Sequence, residues 1–125
     1  PAGCGQHAKM ANQIMIAGAL SGVCEALAYA KAEGLDRSTL VNALSSGAAG
    51  SKQLDFQGHK ILDGDFAPGF FMKHFIKDMR LAEEEANHSG LDLNVLRQTL
   101  ENCRALEQQG CGDLGTQALI KFYEK

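Results

Sequence analysis

The chain has 125 residues, 45% of them hydrophobic and 22% charged, the composition of one globular domain able to build its own core. Its 12 basic and 15 acidic residues leave a net charge of -3 with no basic run, which argues against a nucleic-acid or membrane-surface partner. Polar residues recur too often for the roughly 18 to 20 apolar residues of a membrane span, and no basic, apolar, small-residue signal opens the chain, so a soluble cytoplasmic protein is expected. The chain starts at Pro1 without Met and enters a helical pattern within a few residues, which reads as a piece of a longer polypeptide. From Gln6 to about Glu33 there is no proline, and alanine, leucine, methionine and isoleucine recur at helix spacing. The spacing predicts one helix about 40 Å long. It is apolar nearly all round between Ile14 and Ala30, as befits the central helix of a bundle. Gly18 and Gly22 share a face where another helix can approach closely.

Gly34 is the expected C-terminal cap and Asp36 the N-cap of a second helix reaching about Leu44. A loop from Gly47 to Ser51 leads into a short helix at about Lys52 to Leu62, and an irregular segment follows from Asp63 to Gly69. A fourth helix, about Phe71 to Ser89, turns Phe75, Met79 and Ala82 inward and Lys73, Arg80, Glu83 and Glu84 outward; Gly90 closes it. A fifth spans about Asn94 to Gln109 and ends at Gly110, and a last one runs from about Gly115 to Tyr123. No alternating run is long enough for a strand. The fold class is therefore all-α, a bundle of about six helices around one long helix.

Chemistry-bearing residues are few. Cys4, Cys24, Cys103 and Cys111 form no CxxC pair and read as free thiols. Cys4 and His7 lack a second close pair to complete four ligands, so no metal site is expected. Gln6, Lys9, Asn12 and Gln13 fall on one polar face of an otherwise apolar helix. Spacing alone leaves two readings open. One is an exposed helix end; the other is a lysine acid/base with an amide neighbour, which requires the lysine pKa to fall from about 10.4 towards neutrality. In Phe71 to Asp78, the pairs Lys73 with Lys77 and His74 with Asp78 lie four apart, on the edge of a cleft or on a solvated face. The Gly47–Ser51 loop is either an anion cradle or a plain turn. No dinucleotide, Walker, nucleophile-elbow or HExxH motif is present, and Glu83-Glu84-Glu85 is a solvated charge run.

Gly3-Cys4-Gly5-Gln6-His7-Ala8-Lys9-Met10-Ala11-Asn12-Gln13 resembles the G-x-G-x-x-x-K-x-x-N-[NQ] signature of the β-hydroxyacid dehydrogenases, among them 3-hydroxyisobutyrate dehydrogenase and tartronate semialdehyde reductase. Glu25-Ala26-Leu27, Gly34-Leu35-Asp36, Gly50-Ser51, Phe66-Ala67-Pro68-Gly69-Phe70 and Ile76-Lys77-Asp78 follow in the family's order, and the closing Phe122-Tyr123-Glu124-Lys125 is similar to the reductase branch. The resemblance covers essentially the whole chain. It implies that residues 1–125 are the C-terminal all-helical substrate and dimerisation domain of a 6-phosphogluconate dehydrogenase-like enzyme, whose N-terminal Rossmann domain is absent from this chain. The function it implies is NAD(P)-dependent interconversion of a 3-hydroxy acid, 3-hydroxyisobutyrate- or glycerate-like, and its semialdehyde.

The resemblance further implies Lys9 as the general acid/base, Asn12 and Gln13 at the substrate, and Lys77 and Asp78 beside NAD or NADP, which the missing domain mainly binds. Gln13 departs from the commoner second asparagine. The implied partners are the small hydroxy acid or semialdehyde, the Rossmann domain and a second copy of the chain, since the long apolar helix exceeds what five shorter helices can cover. On this reading the isolated chain is inactive. The competing reading is a free-standing helical interaction module without chemistry.

Overall fold

A proline-free stretch rich in alanine and leucine has every local reason to be helical, and the first helix, α1, runs Cys4–Ala32 over 29 residues. The computed structural model describes residues 3–124; Pro1, on which the expectation of a longer polypeptide partly rested, and Lys125 of the closing motif lie outside the described residues. Among the described residues five α-helices follow: α2 (Arg37–Ser45), α3 (His59–Asp63), α4 (Met72–His88), α5 (Asn94–Leu106) and α6 (Ile120–Tyr123). π-Helical turns occupy Leu54–Gly58 and Glu107–Cys111, and a 3-10 turn covers Thr116–Leu119. The all-α class and the six-helix count agree with the sequence pattern. The short helix predicted from Lys52 differs in that its first half is π-helical where Gly58 packs on Val41 of α2. The last predicted helix is split, opening as 3-10 before α6.

Both expected caps form. Gly34 takes φ 73°, where a side chain would be strained. Its N–H donates to the Lys31 carbonyl at 3.2 Å and that of Leu35 to Ala30 at 2.9 Å, the paired bonds of a glycine-terminated helix. Two residues on, the Asp36 carboxylate accepts from the N–H groups of Ser38 and Thr39 at 3.2 and 3.4 Å and starts α2.

Around α1 the core is assembled from Ala17, Leu20, Cys24 and Leu27, against Phe75 and Met79 of α4 and Leu96, Leu100 and Cys103 of α5. Each buried leucine or phenylalanine contributes about 1.5–3 kcal/mol, so α4 and α5 are held on α1 by burial rather than by local preference. By length and composition α1 meets the measure of a membrane span, contrary to the expectation that polar residues interrupt it. Ala17, Leu20, Cys24 and Leu27 account for the part of that apolar surface that lies in the core, while Met15 and Tyr29 stand exposed on the other side.

The irregular run before α4 is fastened by residues some 50 positions later. Gly115 N–H donates to Phe66 O at 2.9 Å, Met72 N–H to Leu114 O at 2.8 Å and Lys73 N–H to Gly112 O at 3.0 Å. Gln117, fully buried, donates from Nε2 to the carbonyls of Asp65 and Ala67, each at 2.9 Å. Gly115 has to be glycine for this, because a Cβ there would lie 2.1 Å from Gln117 Oε1. At the chain's end Glu124 accepts from Arg37 at 2.8 Å and pins α6 beside α2.

Two expectations follow. Gln117→Leu removes the donor shared by the carbonyls of Asp65 and Ala67 and is expected to cost roughly 1 kcal/mol, read as a lower denaturation midpoint; an unchanged midpoint contradicts the fastening role. Burial pushes the thiols of Cys24 and Cys103 up, Cys103 from 9.0 to about 12. Burial and the nearby Glu25 carboxylate, which accepts the phenol at 3.1 Å, push Tyr123 from 10.0 up to about 12. All three are held protonated in the fold and ionise more readily unfolded, so their stabilisation is full below pH 9 and is lost as pH rises towards 12. Thermal melts across that window should fall, and a flat profile would contradict the assignment.

Candidate active site

The polar face at the start of α1 does not simply project into solvent. Gln6, Lys9 and Gln13, spaced three and four apart, stack one above the next, and Gln13 is turned inward to 8% exposure at the contact with α4. There its Nε2 donates to Asp78 Oδ2 at 2.9 Å, and its Oε1 accepts from Asn12 Nδ2 at 3.2 Å. A carboxylate only accepts, so the direction of the first bond is fixed by chemistry. As a bond to a charged acceptor it belongs to the class worth about 1.5–3 kcal/mol.

A cleft of about 120 Å³ opens beside this bond, lined by Gln6, Lys9, Met10, Gln13, Asp78 and Leu81. Pockets that enclose a drug-sized ligand span roughly 300–1,000 Å³, so these walls suit the end of a small polar molecule and not a whole dinucleotide. Lys9 and Asn12 are exposed, able to meet a ligand, and Asp78 is half-buried. The cleft therefore offers one cation and one carboxylate on facing helices.

The structure thus brings together Lys9, Gln13 and Asp78, with Asn12 joined through its amide. Lys77, next to Asp78, is exposed and stands outside the cleft lining. The other pairings that helical spacing suggested do not form. Lys73 turns to Asp113 at 2.7 Å, and that hydrogen bond holds the Asp113 carboxyl below its ordinary range. His74 lies against the rings of Phe71 and Phe70, with centroids 5.4 and 6.2 Å away, while Asp78 goes to Gln13. The Gly47–Ser51 loop closes on itself: Gly50 N–H donates to Gly47 O at 3.0 Å, and Ser51 Oγ accepts from Leu54 N–H at 3.0 Å, capping the helical turn that follows. Met10 and Leu81, the apolar lining, were not singled out from the sequence. Leu81 lies three residues after Asp78, a signal usable only once α4 is known to face α1.

The fold and the cleft describe an all-helical domain carrying a small cleft with polar groups at the start of its long central helix. The profile of the family described as "NAD-binding of NADP-dependent 3-hydroxyisobutyrate dehydrogenase" matches residues 3–123, and the chain belongs to that family of oxidoreductases. It is 46% identical over 123 residues to a probable 3-hydroxyisobutyrate dehydrogenase-like protein, mitochondrial, of Arabidopsis thaliana, covering 98% of this chain and 37% of the relative. To the 2-hydroxy-3-oxopropionate reductase of Escherichia coli it is 33% identical over 122 residues, covering 98% and 42%. The chain thus spans less than half the length of these curated relatives. The fold matches the 3-hydroxyisobutyrate dehydrogenase of Salmonella typhimurium with a TM-score of 0.91 at 23% identity, over 95% of this chain and 42% of that one. It also matches the Mycobacterium tuberculosis 3-hydroxyisobutyrate dehydrogenase, solved with L-serine, with a TM-score of 0.90 at 22% identity, over 100% and 45%.

Proposed function

We propose that this chain is the C-terminal, substrate-side domain of an NAD(P)-dependent dehydrogenase. Its reaction interconverts a 3-hydroxy acid, 3-hydroxyisobutyrate- or glycerate-like, and the corresponding semialdehyde. The observation that carries the reading is the Gln13–Asp78 bond. It joins two segments 65 residues apart, and both then border one cleft with Lys9. The names of the relatives support the substrate class, as does the L-serine, itself a 3-hydroxy compound, in the Mycobacterium tuberculosis structure.

Lys9 is the proton carrier. As an ammonium it gives a proton to the carbonyl oxygen of the semialdehyde during reduction, and as an amine it takes the hydroxyl proton during oxidation. Asn12, exposed beside it, binds the substrate's oxygen functions, and Gln13 lines the cleft behind it. NAD or NADP, when bound, supplies or accepts the hydride. Lys77 and Asp78 stand on the cofactor side. The small volume of the cleft fits this division, since these walls hold one end of the ligands and an N-terminal Rossmann domain holds the rest. Four free cysteines, two of them buried, agree with a reducing compartment such as the cytoplasm.

Lys9→Ala in the full-length protein is expected to lower kcat by several orders of magnitude with the fold intact, while residues 1–125 alone give no nicotinamide turnover with any 3-hydroxy acid. Near-normal kcat in the variant, or turnover by the isolated domain, refutes the reading. A second copy is the proposed cover for the outer face of α1, where Met15 is 77% and Tyr29 65% exposed. Both lie seven residues from Gly22, so antiparallel helices crossing at Gly22 would set Met15 against the partner's Tyr29, a sulfur–aromatic contact. Light scattering should give the mass of a dimer, and Gly22→Glu, for which the lone chain has space, the mass of a monomer. A wild-type mass of one chain counts against it.

A further inference from the structure

Gln13 is the one buried polar side chain among the described residues of α1, and both ends of its amide are already occupied, by Asp78 and by Asn12. It borders the cleft with little left to offer a ligand. What it does hold is a carboxylate. Asp78 lines the same cleft as Lys9, yet no ion pair within 4.0 Å joins them among the described residues, and Oδ2 of Asp78 is engaged by Gln13 instead. A lysine amine that must lose and regain a proton is impaired by a carboxylate resting on it, because the pair favours the charged form. We propose that Gln13 is a positioning residue that tethers Asp78 on the α4 side of the cleft and keeps the Lys9 ammonium free of it. This rests on the reading of Lys9 as the acid/base.

The surroundings of Lys9 make the assignment specific. On α4, Asp78 is the charged residue in the cleft lining. His74 lies edge-on to Phe70 and tilted against Phe71, and Lys77 is exposed beside Asp78, outside that lining. Glu85 borders a separate shallow groove, together with His7 of α1. The helix α5 meets α1 further along, where Ser21 and Thr99 share a hydrogen bond of 2.7 Å. Asp78 is thus the carboxylate that a lost tether would release towards Lys9.

The test is the pH profile of kcat/KM for oxidation of the 3-hydroxy acid by the full-length protein, where activity requires Lys9 as the neutral amine. In Gln13→Leu, Asp78 pairs with Lys9 and the acidic limb moves up by about one to two pH units. Removing the carboxylate as well, in Gln13→Leu with Asp78→Leu, returns the limb to its wild-type position, whatever the loss in absolute rate. A side-chain amide resonance assigned to Gln13 and protected from solvent exchange in the wild type should also lose that protection in Asp78→Leu. Where Gln13→Leu does not fold, Gln13→Met, of similar length but without the donor, gives the same comparison. A folded variant whose acidic limb stays in place overturns the tether, as does a double variant whose limb remains displaced. If Lys9→Ala is inactive while the limb in Gln13→Leu does not move, the tether alone fails. If Lys9→Ala is active, the acid/base reading fails first.

Discussion

A helix of 29 residues that is apolar on most of its surface cannot stand in water by itself, and the need to cover it organises everything else in this chain. The helices α4 and α5 lie along it because Phe75, Met79, Leu96 and Leu100 remove its middle from solvent. That packing sets the direction of α4, and with it the position of Asp78 opposite the first turns of α1. The site is a by-product of coverage. Lys9 and Gln13 sit where the apolar stripe gives way to polar residues, and the partner helix is already in place.

Much of this could be read in the residues themselves. The proline-free run, the glycine at position 34 and the aspartate at position 36 specify a long helix, a stop and a restart through local physics, and each forms. The family motif placed Lys9, Asn12, Gln13, Lys77 and Asp78 in one set, and the structure brings three of them to one cleft. Helical spacing served less well within α4. Lys73 and His74 found partners in Asp113 and in two phenylalanine rings, contacts set by tertiary packing that no i, i+4 rule contains. The Gln13–Asp78 bond was equally invisible, since 65 residues separate its ends. The π-helical turn at Leu54–Gly58 was not legible either, since helical spacing does not separate an α turn from a π turn.

The cleft combines fixed polar groups with open ones. Its polar groups are not floating: Gln13 is tied at both ends of its amide and Asp78 is held at one oxygen. Lys9 and Asn12 remain open to whatever arrives. Preorganising the buried members while leaving the exposed ones free reduces what must be ordered when a ligand binds.

The fastening of the segment before α4 by Gly112, Leu114, Gly115 and Gln117 has a consequence in time as well as in space. A ribosome delivers Lys9 first and Asp78 about 70 residues later, but the groups that anchor the start of α4 emerge about 35 residues after that. Until then Phe66 to Phe71 lack most of their backbone partners, and the helix carrying Asp78 has no fixed origin. Both walls of the cleft are therefore synthesised before the groups that fasten the start of α4, and loss of the closing residues would loosen the helix that carries Asp78.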